Sequence, residues 1–254
     1  HCKLRNNQTI CLNMRKISKN YSPNFSIPKR SKNKIKFIIL HYTGMKKESL
    51  ALKKLCDEKS KVSAHYFIKK NGEITTLVPD LYIAWHAGKS YWKKYTNLNK
   101  NSIGIEIVNK GHELGYEKFT FQQINSVIQI CKNLKKKYKI KNSNIVGHSD
   151  IAPLRKKDPG EKFPWKKLYK NNIGIWYKKS KFKSMEIDDK KLEKLFFKNL
   201  FKIGYRYFSK TRRSKNDIFL IKAFQRRFLP NKVTGKIDEK TFKISNFLAN
   251  HIKN

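Results

Sequence analysis

Residues 34–44 read KIKFIILHYTG. The compact apolar run Phe37–Leu40 ends at His41 and is closed by Gly44, which is the signature of a buried strand. Downstream, ESLALKKLCDE (48–58) places Leu50, Leu52, Leu55 and Cys56 at loose helical spacing. SAHYFIKKNGEITTLV (63–78) is two β-rich runs around Asn71-Gly72, the strongest short hairpin signal. SIGIEIVN (102–109) reads as a strand with Ile103, Ile105 and Ile107 on one face and Gly104 and Glu106 on the other. Thr120 and Gln123 match a capping box, and Ile124, Val127, Ile128, Cys131 and Leu134 follow at helical spacing, so a helix is expected over 121–138. NIVGH (144–148) is a brief strand that delivers His148 to a loop. Strands and helices alternate to about residue 170, which argues for an α/β layer architecture.

The flanks differ from this centre. Residues 1–33 are polar with scattered Pro and Ser and read as an extended N-terminal arm; 177–191 is mostly Lys, Ser and Asp and reads as a linker. Beyond it lie three helical stripes: Leu192, Leu195, Phe196 and Leu200; Ile221, Phe224 and Phe228; and Phe242, Phe247, Leu248 and Ile252. Pro230 and Gly235 punctuate the last two, so residues 192–254 are expected to form a small all-α unit.

Composition constrains partners only loosely. Against 59 Lys and Arg stand 18 Asp and Glu, a net charge of +41. Such a chain is drawn to polyanions. The lysines are spread throughout and accompanied by many Asn, Ile and Tyr, the pattern of codon drift in an A/T-rich genome, so no specific nucleic-acid partner is expected. No run of 18 apolar residues exists to span a membrane. The four cysteines form no C-x-x-C; Cys56 and Cys131 fall within expected helices, and a Cys2–Cys11 disulfide has nothing further behind it. The chain begins at His1 rather than Met, which is compatible with a leader or membrane anchor lying upstream.

Chemistry concentrates in GHSDIAPLRKKDPGEKFPW (147–165), whose prolines at 153, 159 and 164 rule out a regular helix. His41 and His148 each end an expected strand, and Asp158 lies in this loop. Two His and a carboxylate suit Zn²⁺ with a fourth position for water, although a strand-end His is also a common structural residue. Glu106 stands in a run otherwise fit for burial, as a proton shuttle beside such a water or as a structural partner of a lysine. Lys156, two residues before Asp158, points the same way in an extended loop and is placed to stabilise an oxyanion. His65, Trp85 and His86 either line a substrate groove or pack as hydrogen-bonded core residues; a metal-ligand role for His65 or His86 is the less favoured reading.

Taken in order and spacing, FIILHYTG, SAHYFIKKNGEITTLV, AWHAGKSYW, NSIGIEIVN and GHSDIAPLRKKDPGEKFPW resemble the zinc-dependent N-acetylmuramoyl-L-alanine amidases of the AmiD/AmpD kind, whose fold peptidoglycan recognition proteins share. The resemblance covers roughly residues 34–170. It implies a mixed β-sheet flanked by helices over 34–176, one Zn²⁺ bound by His41, His148 and Asp158, and Glu106 and Lys156 as catalytic groups. It further implies hydrolysis of the amide between N-acetylmuramic acid, or its 1,6-anhydro form, and L-alanine, with peptidoglycan or muropeptides as partner. The cell envelope is the implied location, with the cytoplasm as alternative. AFQRRF and TGKID, within 223–238, resemble the three-helix peptidoglycan-binding module, implying a unit that tethers the enzyme to its polymer. The rival reading is a non-catalytic recognition protein, but relatives of that kind typically lack the metal ligands found here.

Overall fold

The computed structural model describes residues 17–178 and 188–252. Cys2, Cys11, the first half of the arm and most of the 177–191 stretch lie outside the described residues. The strands are β1 (Ile17–Lys19), β2 (Phe25–Ser26), β3 (Phe37–Tyr42), β4 (Tyr66–Ile68), β5 (Ile74–Thr76), β6 (Ile83–Ala84), β7 (Tyr91–Trp92), β8 (Tyr95–Thr96), β9 (Ser102–Ile107) and β10 (Ile145–Gly147). The helices are α1 (Glu48–Cys56), α2 (Phe121–Tyr138), α3 (His148–Ile151), α4 (Trp165–Lys170), α5 (Asp189–Ile203), α6 (Asp217–Phe228) and α7 (Glu239–His251).

Six strands form one mixed sheet in the order β1-β5-β4-β9-β3-β10. Every neighbouring pair is parallel except β4 with β5, the hairpin that turns at Asn71-Gly72. The α/β expectation therefore holds. Because β3 lies between β9 and β10 and is covered on both faces, Phe37, Ile38, Ile39 and Leu40 are all fully buried, as a continuous apolar strand requires. Ile38, Leu40, Ile103, Ile105 and Ile107 pack against Ile124, Val127, Cys131 and Leu134 of α2 on one face. On the other, Phe37, Ile39 and Val146 join a cluster that runs through Trp92 and Ile151 to Phe196, Leu200, Phe224 and Phe228. Helices α5–α7 thus share a continuous apolar core with the sheet.

Two local patterns differ from the spacing. In α1 the buried pair is Ala51 and Leu55, facing Phe67, Leu77 and Val108, whereas Leu50 is 48% exposed. A one-residue rotation favoured the small Ala51, which lets the helix lie close to the sheet. The described part of the arm is laced onto the body: β1 adds a parallel edge strand beside β5, and Asn24 Nδ2 donates to the Asp57 and Val62 carbonyls at 2.8 and 2.9 Å.

The capping box of α2 forms as the sequence indicates. The Gln123 amide donates to Thr120 Oγ1 at 3.1 Å and the Thr120 amide to Gln123 Oε1 at 3.0 Å. Thr120 Oγ1 also donates to the Lys70 carbonyl at 2.8 Å, fastening the helix start to the β4–β5 hairpin. Thr120→Ala is expected to destabilise the chain by about 1–2 kcal/mol in denaturant unfolding, with no change in the sheet. A loss below about 0.3 kcal/mol would show that the cap is immaterial.

Candidate metal and active site

The ends of three adjacent parallel strands build the site. Cα register sets His41 of β3 opposite Glu106 of β9, so the two side chains share a face. Gly147 of β10 pairs with Leu40, which brings His148, the next residue, alongside His41. Ser149 N donates to the Asp158 carbonyl at 2.9 Å, folding the loop back so that Asp158 faces both histidines.

Three atoms converge. His41 Nδ1 lies 2.9 Å from His148 Nδ1 and 3.0 Å from Asp158 Oδ2, and His148 Nδ1 lies 3.1 Å from the same oxygen. The opposite ring nitrogens fix the tautomers. His148 Nε2 faces the Ala87 carbonyl at 3.1 Å, to which it donates when it carries the ring proton, and lies 3.3 Å from Arg155 Nη2. Ser102 Oγ donates to the Leu98 carbonyl at 2.6 Å, so it accepts from His86 Nε2 at 3.2 Å, leaving His86 Nδ1 to accept from His41 Nε2 at 3.0 Å. Both Nδ1 atoms are then bare lone pairs turned toward a carboxylate. Three acceptors without a proton among them repel one another unless a cation lies between. A tetrahedral ion with bonds of about 2.0 Å spaces its ligands about 3.3 Å apart, close to the separations seen. The residues fit a metal, and among the described residues His41, His148 and Asp158 form the only such group.

The electrostatics agree with a neutral His41 and an ionised aspartate. Burial, then the neighbouring His148, pushes His41 down to about 4, against the pull of Asp158. Burial raises the Asp158 carboxyl, and a positive charge or ring N–H at His148 and His41 pulls it far below the ordinary carboxylate range; with both Nδ1 atoms bare, a bound cation would take over that pull. Glu106 shifts the other way: burial, then the charge of Asp158, raises it well above an ordinary Glu, with Lys156 and Lys54 opposing. Its Oε2 is buried without a hydrogen-bond partner. An unpaired carboxylate oxygen is costly to bury and is characteristic of a group held ready for proton transfer.

These groups open on a cavity of about 380 Å³ lined by Glu106, His148, Lys156, Asp158, Trp85 and His86, with Arg155 and Tyr42 among its further walls. Trp85 is fixed by a 2.8 Å bond from Nε1 to Ser26 Oγ. His86 reaches the cavity but acts chiefly as the partner of His41. Its ring lies on Gly104, where a Cβ would come within 2.3 Å of it, so the strand can carry only glycine there. His65, read as a candidate groove residue, is fully buried and does not line the cavity: Nδ1 accepts from the Gly104 amide at 3.0 Å, and Nε2 lies 3.1 Å from the Tyr82 carbonyl and 2.9 Å from Arg30 Nη2. Its ring pins the β4 entrance to β9. Arg155 escaped the sequence reading, being one base among many in LRKKD. It donates to the Ala87 and Lys89 carbonyls and so holds the segment that carries His86.

Comparisons with known proteins agree with this geometry. The family model for N-acetylmuramoyl-L-alanine amidase matches residues 31–161. The chain is 35% identical over 236 residues to the N-acetylmuramoyl-L-alanine amidase AmiD of Escherichia coli, covering 85% of this chain and 82% of that protein. The chain belongs to the N-acetylmuramoyl-L-alanine amidases. Its fold superposes on E. coli AmiD in complex with the substrate anhydro-N-acetylmuramic acid-L-Ala-D-γ-Glu-L-Lys with a TM-score of 0.75 at 32% identity, over 88% of this chain and 91% of that one. AmpDh3 of Pseudomonas aeruginosa with anhydromuramic pentapeptide gives 0.74 at 31% identity, over 94% and 97%. The similarity to both extends through most of this amidase, beyond the stretch matched by the family model.

Two outcomes test the site. Elemental analysis is expected to find one divalent ion per chain, lost in His148→Ala and retained in Glu106→Gln; an ion retained by His148→Ala would move the site elsewhere. Burial, then the charge of Arg30, pushes His65 down to about 3. Its folded pKa lies below the unfolded value of about 6.5, so this stability is complete above about pH 6.5 and falls by about 1.4 kcal/mol per pH unit toward pH 3. His65→Asn is expected to flatten that acid slope by one proton in pH-dependent unfolding. An unchanged slope would contradict a buried neutral His65.

Proposed function

We propose that this amidase is a zinc hydrolase that cleaves the amide between the lactyl carbonyl of N-acetylmuramic acid, ordinary or 1,6-anhydro, and the L-alanine of the stem peptide. The observation that supports it is the placing of Glu106, whose Oε2 is buried without a partner, beside three converging ligand atoms, with Glu106, His148 and Asp158 lining one cavity. Two imidazole nitrogens and one carboxylate oxygen with an open fourth position are the donor set of catalytic zinc, which acidifies water and polarises a carbonyl when bound.

The remaining work falls to the chain. Glu106 takes the proton from the attacking water and delivers it to the alanine nitrogen as the C–N bond breaks; its raised pKa suits it to both transfers. Lys156, on the cavity wall, supplies positive charge where the carbonyl oxygen becomes negative. Trp85 offers an apolar wall to sugar and peptide. Residues 192–254 carry the signature of a peptidoglycan-binding module and are proposed to engage the glycan polymer. A wall-derived substrate assigns the enzyme to the cell envelope, with the cytoplasm as alternative if soluble anhydro-muropeptides are cleaved. Among the described residues no helix is long and apolar enough to cross a membrane.

Incubation with purified sacculi and with anhydro-muropeptides is expected to release peptides beginning with L-alanine, ranked by mass spectrometry. Zinc-loaded Glu106→Gln should lose about 10²–10⁴-fold in kcat; full turnover would remove Glu106 from the mechanism. The base form of Glu106 is required, so kcat rises with pH through its pKa. Lys156 lowers that pKa, and Lys156→Met is therefore expected to move the rising limb to higher pH as well as reduce kcat. A limb that stayed in place would separate Lys156 from Glu106.

A further inference from the structure

The metal ligand His148 lies in α3, one helical turn whose stability no short helix supplies by itself. What holds the turn is Asp150. Its Oδ2 accepts from the Gly147 amide at 2.8 Å and from Arg227 Nη1 at 2.6 Å, and its Oδ1 accepts from the Tyr205 hydroxyl at 2.6 Å. Arg227 Nη2 donates in addition to the Ile145 carbonyl at 2.9 Å. One guanidinium therefore clamps β10 at its start and α3 near its end, with His148 between. Arg227 belongs to α6, and Tyr205 directly follows α5 and its cap Gly204.

We propose that Arg227 and Tyr205 are positioning residues for the metal site, so that the C-terminal helices set the place of two of the three ligands. The clamp is dry: Asp150 is 1% exposed, Arg227 2% and Tyr205 0%. The guanidinium carbon lies 4.3 Å from the centre of the Trp165 ring, and the Tyr205 ring stands edge-on to Trp92 with centroids 4.7 Å apart. Charge-assisted bonds from one guanidinium to two acceptors, the Asp150 carboxylate and the Ile145 carbonyl, fix geometry as well as charge in such surroundings. The turn then transmits the placement twice. It carries His148 itself, and its Ser149 amide holds the Asp158 carbonyl. His41, on the central strand β3, is held by the sheet ladder and by His86 at its Nε2, and stands outside the clamp. Metal sites tolerate ligand displacements of only about 0.2 Å, and loss of outer partners commonly weakens binding about 10–100-fold. The helices are thereby more than a tether.

This inference rests on the proposed zinc site, and its test separates the two. In the full chain, Tyr205→Phe keeps the ring on Trp92 and removes one bond; Arg227→Lys keeps the charge and removes the fork; Leu220→Ala, elsewhere on α6 in the shared core, is the control for general destabilisation. Competition with a chromophoric chelator is expected to show zinc binding weakened about tenfold in Tyr205→Phe and more in Arg227→Lys. KM at saturating zinc should stay constant, and Leu220→Ala should lower the melting temperature with zinc affinity unchanged. In metal-free protein, amide exchange at Gly147 and Ser149 should quicken at least tenfold in Tyr205→Phe while Leu40 is unaffected. Zinc affinity within twofold of wild type in both clamp variants, or equal weakening in Leu220→Ala, overturns the proposal. If wild type takes up no zinc, the zinc reading fails and the exchange result alone decides whether the clamp positions the turn. Should Arg227→Lys not fold, Tyr205→Phe decides.

Discussion

Three lone-pair atoms, His41 Nδ1, His148 Nδ1 and Asp158 Oδ2, are held about 3 Å apart with no proton to share between them. That repulsion is the constraint on which the rest of the structure depends. It is sustained by bonds made at the far side of each ring: His41 through His86 to Ser102, and His148 to the Ala87 carbonyl. Glycine at 104 follows from it, since the His86 ring occupies the space a side chain would need. So does the unusual state of Glu106, whose carboxyl is raised by burial and by Asp158, while two lysines pull the other way.

The same constraint gives the C-terminal helices a place in the chemistry. A sheet can deliver the ends of β3, β9 and β10 to one edge, but a ligand one residue beyond a three-residue strand needs external support. Asp150 provides the handle, and Arg227 and Tyr205 grip it from the C-terminal helices. The apolar cluster that joins Phe37, Ile39 and Val146 to Phe196, Phe224 and Phe228 makes this grip rigid.

Much of this was legible in the residues. KIKFIILHYTG and SIGIEIVN declared buried strands because their apolar runs admit little else, and Thr120 with Gln123 marked the start of α2 to the residue. The ligand atoms' convergence was legible as motif rather than geometry: His148 of GHSD and Asp158 of DPG lie ten residues apart, and only tertiary folding sets their side chains against His41. What periodicity could not show were contacts made across the chain. Leu50 fits a helical stripe as well as Ala51 does, and only packing on Phe67 distinguishes them. His65 in SAHYF has the same local signal as His86 in AWHAG; one is sealed beneath the sheet and the other reaches the cavity. Arg227 is visible only as part of AFQRRF, and its 77-residue separation from Asp150 leaves no local trace.

The most direct test of this account is ¹⁵N NMR of the histidine ring nitrogens during zinc titration of metal-free protein. The account predicts that Nδ1 of His41 and of His148 shift together as one equivalent binds, while both Nε2 atoms stay protonated. Binding through Nε2 of either ring, or no response at His148, would contradict it.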